Sequence, residues 1–238
     1  YRTAPLWVWN ADMTDQEIEK SLTELKNHGF GGAFVHPRPG MKISYVDEKF
    51  FSAWKKALDT AKSLGMKLNI YDENSYPSGF GGGHVSCDMP DCLSESVRYQ
   101  VFPEEEMDFT EKKSDWLGDN TVIAVYACDK KYGKMVLKKE LTEVPRSQWK
   151  GQGKYYAMLV HMPSQSAGWL AGFADIDRLR PEVTEKFLET VYDAYASRFQ
   201  EDFGDTIAAI FTDEPALPGS TVYGRGGEGT LPINHWFA

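Results

Sequence analysis

Two periods alternate along the first part of the chain. "PLWVWN" (5–10), "GGAFVHP" (31–37) and "MKLNIYDE" (66–73) are short apolar runs. Runs of this length, bounded by Gly or Pro, read as strands buried in a parallel sheet. Between them apolar residues recur at helical spacing: Ile18, Leu22 and Leu25, then Phe51, Trp54, Leu58, Ala61 and Leu64. Thr14 with Glu17 three residues on forms a capping-box signature, and Gly29 ends that first helix. The second helix starts near Asp47 and stops at Gly65. Strands alternating with amphipathic helices predict parallel βα units.

The rhythm changes at about Ser94. "SVRYQVF", "NTVIAVYAC", "GKMVLKKEL" and "KYYAMLVHMP" alternate as strands do, with "YGK" and "GQGK" as hairpin punctuation. They predict a small antiparallel β insertion. Helical spacing returns in "RPEVTEKFLETVYDAYASRF", where Pro181 suits the first turn and Val183, Phe187, Val191 and Tyr195 share a stripe. A fourth strand is expected in "TIAAIFTDEP" (206–215). The predicted class is α/β, of the (β/α)-barrel (TIM-like) type, incomplete, with the β insertion after the third strand. The expected divisions are 1–93 for the first three βα units, 94–168 for the insertion, and 169–238 for the return helix and fourth strand.

Each predicted parallel strand ends in groups able to do chemistry. They are Asn10, then His36-Pro37-Arg38, then Asp72-Glu73, then Asp213-Glu214. In a barrel such ends converge on one face, and in a doubly wound sheet they converge at a switch point. After Asp72-Glu73 comes "NSYPSGFGGG", with glycine at 79, 81, 82 and 83. No Gly-Lys-Ser/Thr follows, Pro90 interrupts a continuing helix, and the acidic pair would repel a phosphate. The loop therefore suits a neutral ligand. Tyr71 and Tyr76 offer flat apolar faces, and Asp72, Glu73 and Ser78 offer directional hydrogen bonds, a mixture that fits a sugar. "IAAIF" ahead of Asp213 reads as a strand buried on both faces. Pro215 biases Glu214 away from helical backbone angles and holds its side chain at the pocket rim.

Charge and cysteine content narrow the classes further. The formal net charge of -9 argues against nucleic acid and anionic membrane as partners. No apolar run is long enough to span a bilayer. Cys87, Cys92 and Cys128 make no disulfide framework and no metal-type spacing, so free thiols are expected over a Cys87–Cys92 pair. The chain opens at Tyr1 without Met or a signal-like segment and reads as a mature or trimmed piece.

Taken in order, "PLWVWN", "GGAFVHPRPG", "YDENSYPSGFGGG" and "FTDEP" resemble the catalytic barrel of glycoside hydrolase family 106, the α-L-rhamnosidase family and its relatives. That family also interrupts its barrel after the third strand. The resemblance implies a secreted or periplasmic bacterial enzyme that hydrolyses plant-type or other complex glycans, with inversion and with Ca²⁺ near the scissile sugar. It casts Glu214 as the general acid, its pKa raised by Asp213 or by burial, and His36 and Arg38 as sugar-binding residues. Asp72, Glu73 and Asp213 become candidates for the sugar pocket or the cation. Arg38 has a second reading, an ion pair with Asp72, Glu73 or Glu214, and His36 a second reading as a core histidine.

Length departs from the family pattern. A barrel needs about 250 residues, and much of this chain is insertion. The resemblance places the second carboxylate on a later strand, and the tail "GRGGEGTLPINHWFA" offers Glu228 without a further βα unit, so the chain reads as part of a larger polypeptide or as a shortened homologue. The remainder of a larger polypeptide, or self-association, is then the expected partner, beside the carbohydrate. The alternative function is a non-catalytic carbohydrate-binding protein that keeps the strand-end pocket.

Overall fold

The computed structural model describes residues 2–110, 121–215, 217 and 229–233. In chain order the elements begin β1 (Leu6–Trp9), α1 (Asp15–Asn27), β2 (Gly32–Pro37), α2 (Glu48–Ser63), β3 (Lys67–Tyr71) and α3 (His84–Asp88). There follow β4 (Glu95–Pro103), β5 (Thr121–Lys131), β6 (Lys134–Glu140) and β7 (Tyr155–Pro163). The chain then runs through α4 (Pro181–Phe187), a π-helical turn (Leu188–Asp193), α5 (Ala194–Phe199), β8 (Ile210–Phe211) and β9 (Gly229–Ile233). The fold is mixed α/β, with one parallel and one antiparallel sheet. The chain divides into two units, one of residues up to Leu93 with those from Gln165, the other of Ser94–Ser164 with β9.

In the first unit the parallel sheet runs β1-β2-β3-β8, the expected strands in the expected order. Local signals explain its helices. The Thr14 hydroxyl accepts from the Glu17 N–H and Asp47 accepts from the Phe50 N–H at 2.7 Å, so both caps lie where the sequence placed them. One sheet face sends Trp9, Ala33, Val35, Leu68 and Ile70 into a core with Ile18, Leu22, Phe50, Trp54 and Leu58. Val183, Phe187, Val191 and Tyr195 of the returning helices complete it. At about 1.5–3 kcal/mol for each large buried apolar side chain, this core needs no covalent staple, and all three cysteines are free.

The fourth strand differs from the expectation. Ile210 and Phe211 are exposed, as are Leu6 and Val8 on β1, because these are the outer strands of the sheet. The ladder also carries an extra residue. Leu68 and Ile70, two apart, donate to the carbonyls of Thr206 and Ala209, three apart. The Asn69 side-chain oxygen takes the N–H groups of Ala208 and Ala209 at 3.2 and 3.0 Å, which satisfies the bulge.

The second unit is an antiparallel sheet in the order β6-β5-β7-β4-β9. Its own core comprises Met107, Val125, Ala127, Leu141, Trp149, Tyr156 and Met158. Tyr132 and Gly133 both have positive φ at the β5–β6 turn, as a two-residue primed turn requires. β9 pairs with β4, so Gly229–Ile233, expected to stay with the fourth strand, adds to this sheet. Glu228 lies outside the described residues.

Gly32 marks the tightest strand approach. A Cβ there would sit 2.6 Å from the Lys67 carbonyl oxygen, a backbone atom of the neighbouring ladder. Gly32→Ala is expected to cost about 1–3 kcal/mol, read as a lower urea midpoint. An unchanged midpoint would show that β2 and β3 can shift apart freely.

Candidate functional site

The glycine loop is an anion cradle, and its occupant is Glu73. This side chain is fully buried. One carboxylate oxygen accepts from Asn74 N–H at 2.8 Å and from Gly82 N–H; the other accepts from Gly79 and Gly81 N–H at 3.0 and 2.8 Å. The path needs positive φ at Gly79, Gly81, Gly82 and Gly83, which glycine adopts without the Cβ penalty. Close packing adds to this at Gly83, where a Cβ would meet the Phe173 ring at 2.5 Å. Burial raises the Glu73 pKa to about 8 even against the four N–H groups, which act to lower it; the donor geometry favours the opposite form. Each oxygen meets N–H donors and no acceptor, so the cradle fits the carboxylate form.

Asp72, also fully buried, points to the opposite side and collects hydroxyls. Ser78, Tyr192 and Thr212 donate to it at 2.6, 2.7 and 2.7 Å. Burial pushes its pKa up and these bonds lower it. The Ser78 oxygen in turn accepts the backbone N–H of Asp213 at 2.8 Å, and Ser78 N–H donates to the Asp213 carbonyl at 2.9 Å. The loop thereby holds the backbone of the acid pair at the end of β8.

The acid pair lies beside an aromatic row. His36, Tyr71 and Phe211 stack, with centroids 3.9 Å apart for His36–Tyr71 and 5.7 Å for Tyr71–Phe211. The Tyr71 hydroxyl donates to Asp213 at 2.5 Å, and burial, reinforced by this bond, keeps it protonated. Arg38 reaches Asp213 at 3.8 Å, so its ion-pair partner is Asp213, not one of the three carboxylates expected. His36 is 3% exposed, and neither ring nitrogen has a hydrogen-bond partner. Burial, then the Arg38 charge, lowers its pKa to about 4, so it is neutral at pH 7.

Glu214 is exposed and accepts from the Tyr76 hydroxyl at 2.5 Å. Its φ is +40°, in the left-handed region and not the extended one that Pro215 suggested. Ser75 likewise has φ of +94°. Two such residues, joined through Tyr76, mark a place where surrounding bonds override local preference. Of the other predicted residues, Asn10 is exposed at the end of β1, with its carbonyl facing Gly40 and no side-chain hydrogen bond to the acid pair. Ser78 is buried in the Asp72 network.

A cavity of about 570 Å³ opens here, lined by Arg38, Pro39, Ser75, Gly168 and Trp169. Arg38 also lines a second cavity of about 460 Å³ beside the 39–45 loop. Ser75, Trp169, Tyr192 and Thr212 were not among the expected residues. The first two lie in stretches without periodicity, and the last two act through Asp72. Among the described residues no group of three or more His, Cys, Asp or Glu side chains is placed to hold a metal. Two of the three expected Ca²⁺ ligands, Asp72 and Glu73, are already bonded to the protein's own donors. Glu73 has four N–H donors and Asp72 three hydroxyls on the oxygens a cation would need. No helix among the described residues is long and apolar enough to cross a membrane.

No family model and no curated protein matches the chain. Among solved structures it is similar to a rhamnosidase from Novosphingobium sp. PP1Y, at 13% identity and a TM-score of 0.32. The likeness covers 68% of this chain and 25% of that one, so the chain spans about a quarter of that protein's length.

Two expectations follow for the site. Glu73→Gln turns an NH₂ toward two N–H donors in either amide orientation, whereas Asp72→Asn faces hydroxyls that can rotate to accept. The first is expected to lose about 3–5 kcal/mol, the scale of breaking a buried charged network, and the second clearly less, both measured by urea unfolding. Equal losses would show that the cradle tolerates a donor. For His36, folding lowers its pKa from 6.5 to about 4. The unfolded chain thus binds the extra proton between those values, and stability falls as pH drops from 6.5 through 4. An NMR titration of the ring should place the midpoint near 4, and a midpoint at 6.5 would mean the ring is solvated.

Proposed function

We propose that the strand ends form a carbohydrate site and that the chain is part of a glycoside hydrolase of the α-L-rhamnosidase-like type. The observation that carries this reading is His36. A buried imidazole with two unpartnered nitrogens, stacked on Tyr71 and next to Arg38, is a costly arrangement unless a ligand supplies the hydrogen bonds. A neutral imidazole can both donate and accept, which suits a sugar hydroxyl. Flat aromatic surface and directional polar groups alternate around it, as they do in sugar sites.

In this reading Glu214 is the general acid. Tyr76 holds one of its oxygens and solvent reaches the residue, so its other oxygen is open to a departing glycosidic oxygen. Asp213, held by Tyr71 and Arg38, orients the rim and is the second member of the catalytic pair in the sense of position, not of proton transfer. Inversion needs a base about 6.5–9.5 Å away. The open outer strands β1 and β8 are where the rest of a (β/α) barrel would attach. It would come from a larger polypeptide or by self-association, in a secreted or periplasmic protein.

One observation favours a second reading, a binding protein without catalysis. Of the strand-end carboxylates described, Asp72 and Glu73 are buried and bonded, and Glu214 alone is exposed. Hydrolysis assays with natural and aryl α-L-rhamnosides separate the two. If the polypeptide carrying this chain is active, Glu214→Gln should lower kcat on natural glycosides by at least about a hundredfold. The loss should shrink on aryl glycosides with acidic leaving groups. Glycan binding with no turnover by any form would establish the second reading.

A further inference from the structure

We propose that Trp169 is a stacking platform for a second pyranose ring, next to the sugar held at the strand ends; this rests on the carbohydrate reading above. Trp169 is 73% exposed, an unusual position for an indole. Its loop is nonetheless rigidly built. Ala167 N–H donates to the Phe173 carbonyl, and Leu170, Gly172 and Phe173 N–H groups donate back within the turn. Leu170 is buried beneath it, and Ala171 adopts φ of +53° to close it. The Trp169 carbonyl accepts from Tyr76 N–H at 3.2 Å, which ties the turn to the strand-end loop. A backbone this constrained fixes the point from which the indole is presented, and the Tyr76 ring edge flanks it.

The surroundings select the ligand. The Trp169 and Tyr76 rings meet edge to face at 6.1 Å, and Tyr76 carries Glu214 on its hydroxyl. The platform is thus one side chain away from the candidate acid. The 570 Å³ cavity in front of it adds Arg38 and Ser75. Ser75 is 1% exposed and its hydroxyl has no partner, the second orphaned polar group at this site after His36. An apolar plate with a guanidinium and an unsatisfied hydroxyl matches a neutral sugar ring, which has an apolar C–H face and a rim of hydroxyls. The ligand class implied is an oligosaccharide of at least two sugars, with the bond between them near Glu214.

The test compares two probes, methyl α-L-rhamnopyranoside and the methyl glycoside of an α-L-rhamnosyl disaccharide, titrated by NMR into the chain and into Trp169→Ala and Trp169→Phe. The expected result is that the wild type binds the disaccharide at least about tenfold more tightly than the monosaccharide. Trp169→Ala should remove that preference and leave monosaccharide affinity unchanged, and Trp169→Phe should keep most of it. Unchanged monosaccharide binding also shows that the variant is folded. Equal binding of both probes by the wild type, or a preference that survives in Trp169→Ala, overturns the platform while leaving the carbohydrate site standing. Binding of neither probe overturns the carbohydrate reading and the platform together.

Discussion

The seating of one carboxylate in four backbone amides organises the rest of this site. Glu73 is the acceptor about which residues 74–82 fold. Without it, a loop with four glycines in five positions would have too much backbone freedom to keep one shape. With it, the anion seat that such loops offer to phosphates is taken by the protein's own side chain. The acidic pair that argued against phosphate does more than repel it.

From that seat, order passes outward by hydrogen bonds. The loop carries Ser78 to Asp72 and to the Asp213 backbone, and Tyr76 to Glu214. Tyr71 crosses the sheet to Asp213. The four strand-end carboxylates therefore fall into distinct tasks. Glu73 builds the loop, Asp72 gathers hydroxyls, Asp213 meets Tyr71 and Arg38, and Glu214 faces solvent. Burial decides most of this division. The inner two are fixed by protein donors, and the outermost one stays open to solvent.

The parallel strands, their order and the helix caps were legible because their signals are local: apolar runs, helical stripes, and Thr14 or Asp47 ahead of a helix. The bulge was not, since it depends on Asn69 meeting Ala208 and Ala209 far along the chain. The tasks of Asp72 and Glu73 were also illegible. Adjacent strand residues face opposite sides, but which side held the amides was set only when Gly79–Gly82 folded back. Trp169 sat in a stretch with neither period, and nothing nearby hinted that the turn would hold it outward. Exposure of Ile210 and Phe211 could not be read from an apolar run, because burial on both faces requires neighbours that the run does not specify.

The bulge at Asn69 also acts as a register lock. A strand that slides by one residue turns every side chain to the opposite face. Were β8 to slip against β3, Thr212 or Glu214 would arrive where Asp213 now meets Tyr71, and the exposed acid would become a neighbour of the aromatic row. Asn69 prevents this by holding two consecutive amides that only one alignment presents to it. The identity of the outward carboxylate is thus decided by a side-chain amide in the middle of the sheet, several residues away from any atom a ligand would touch.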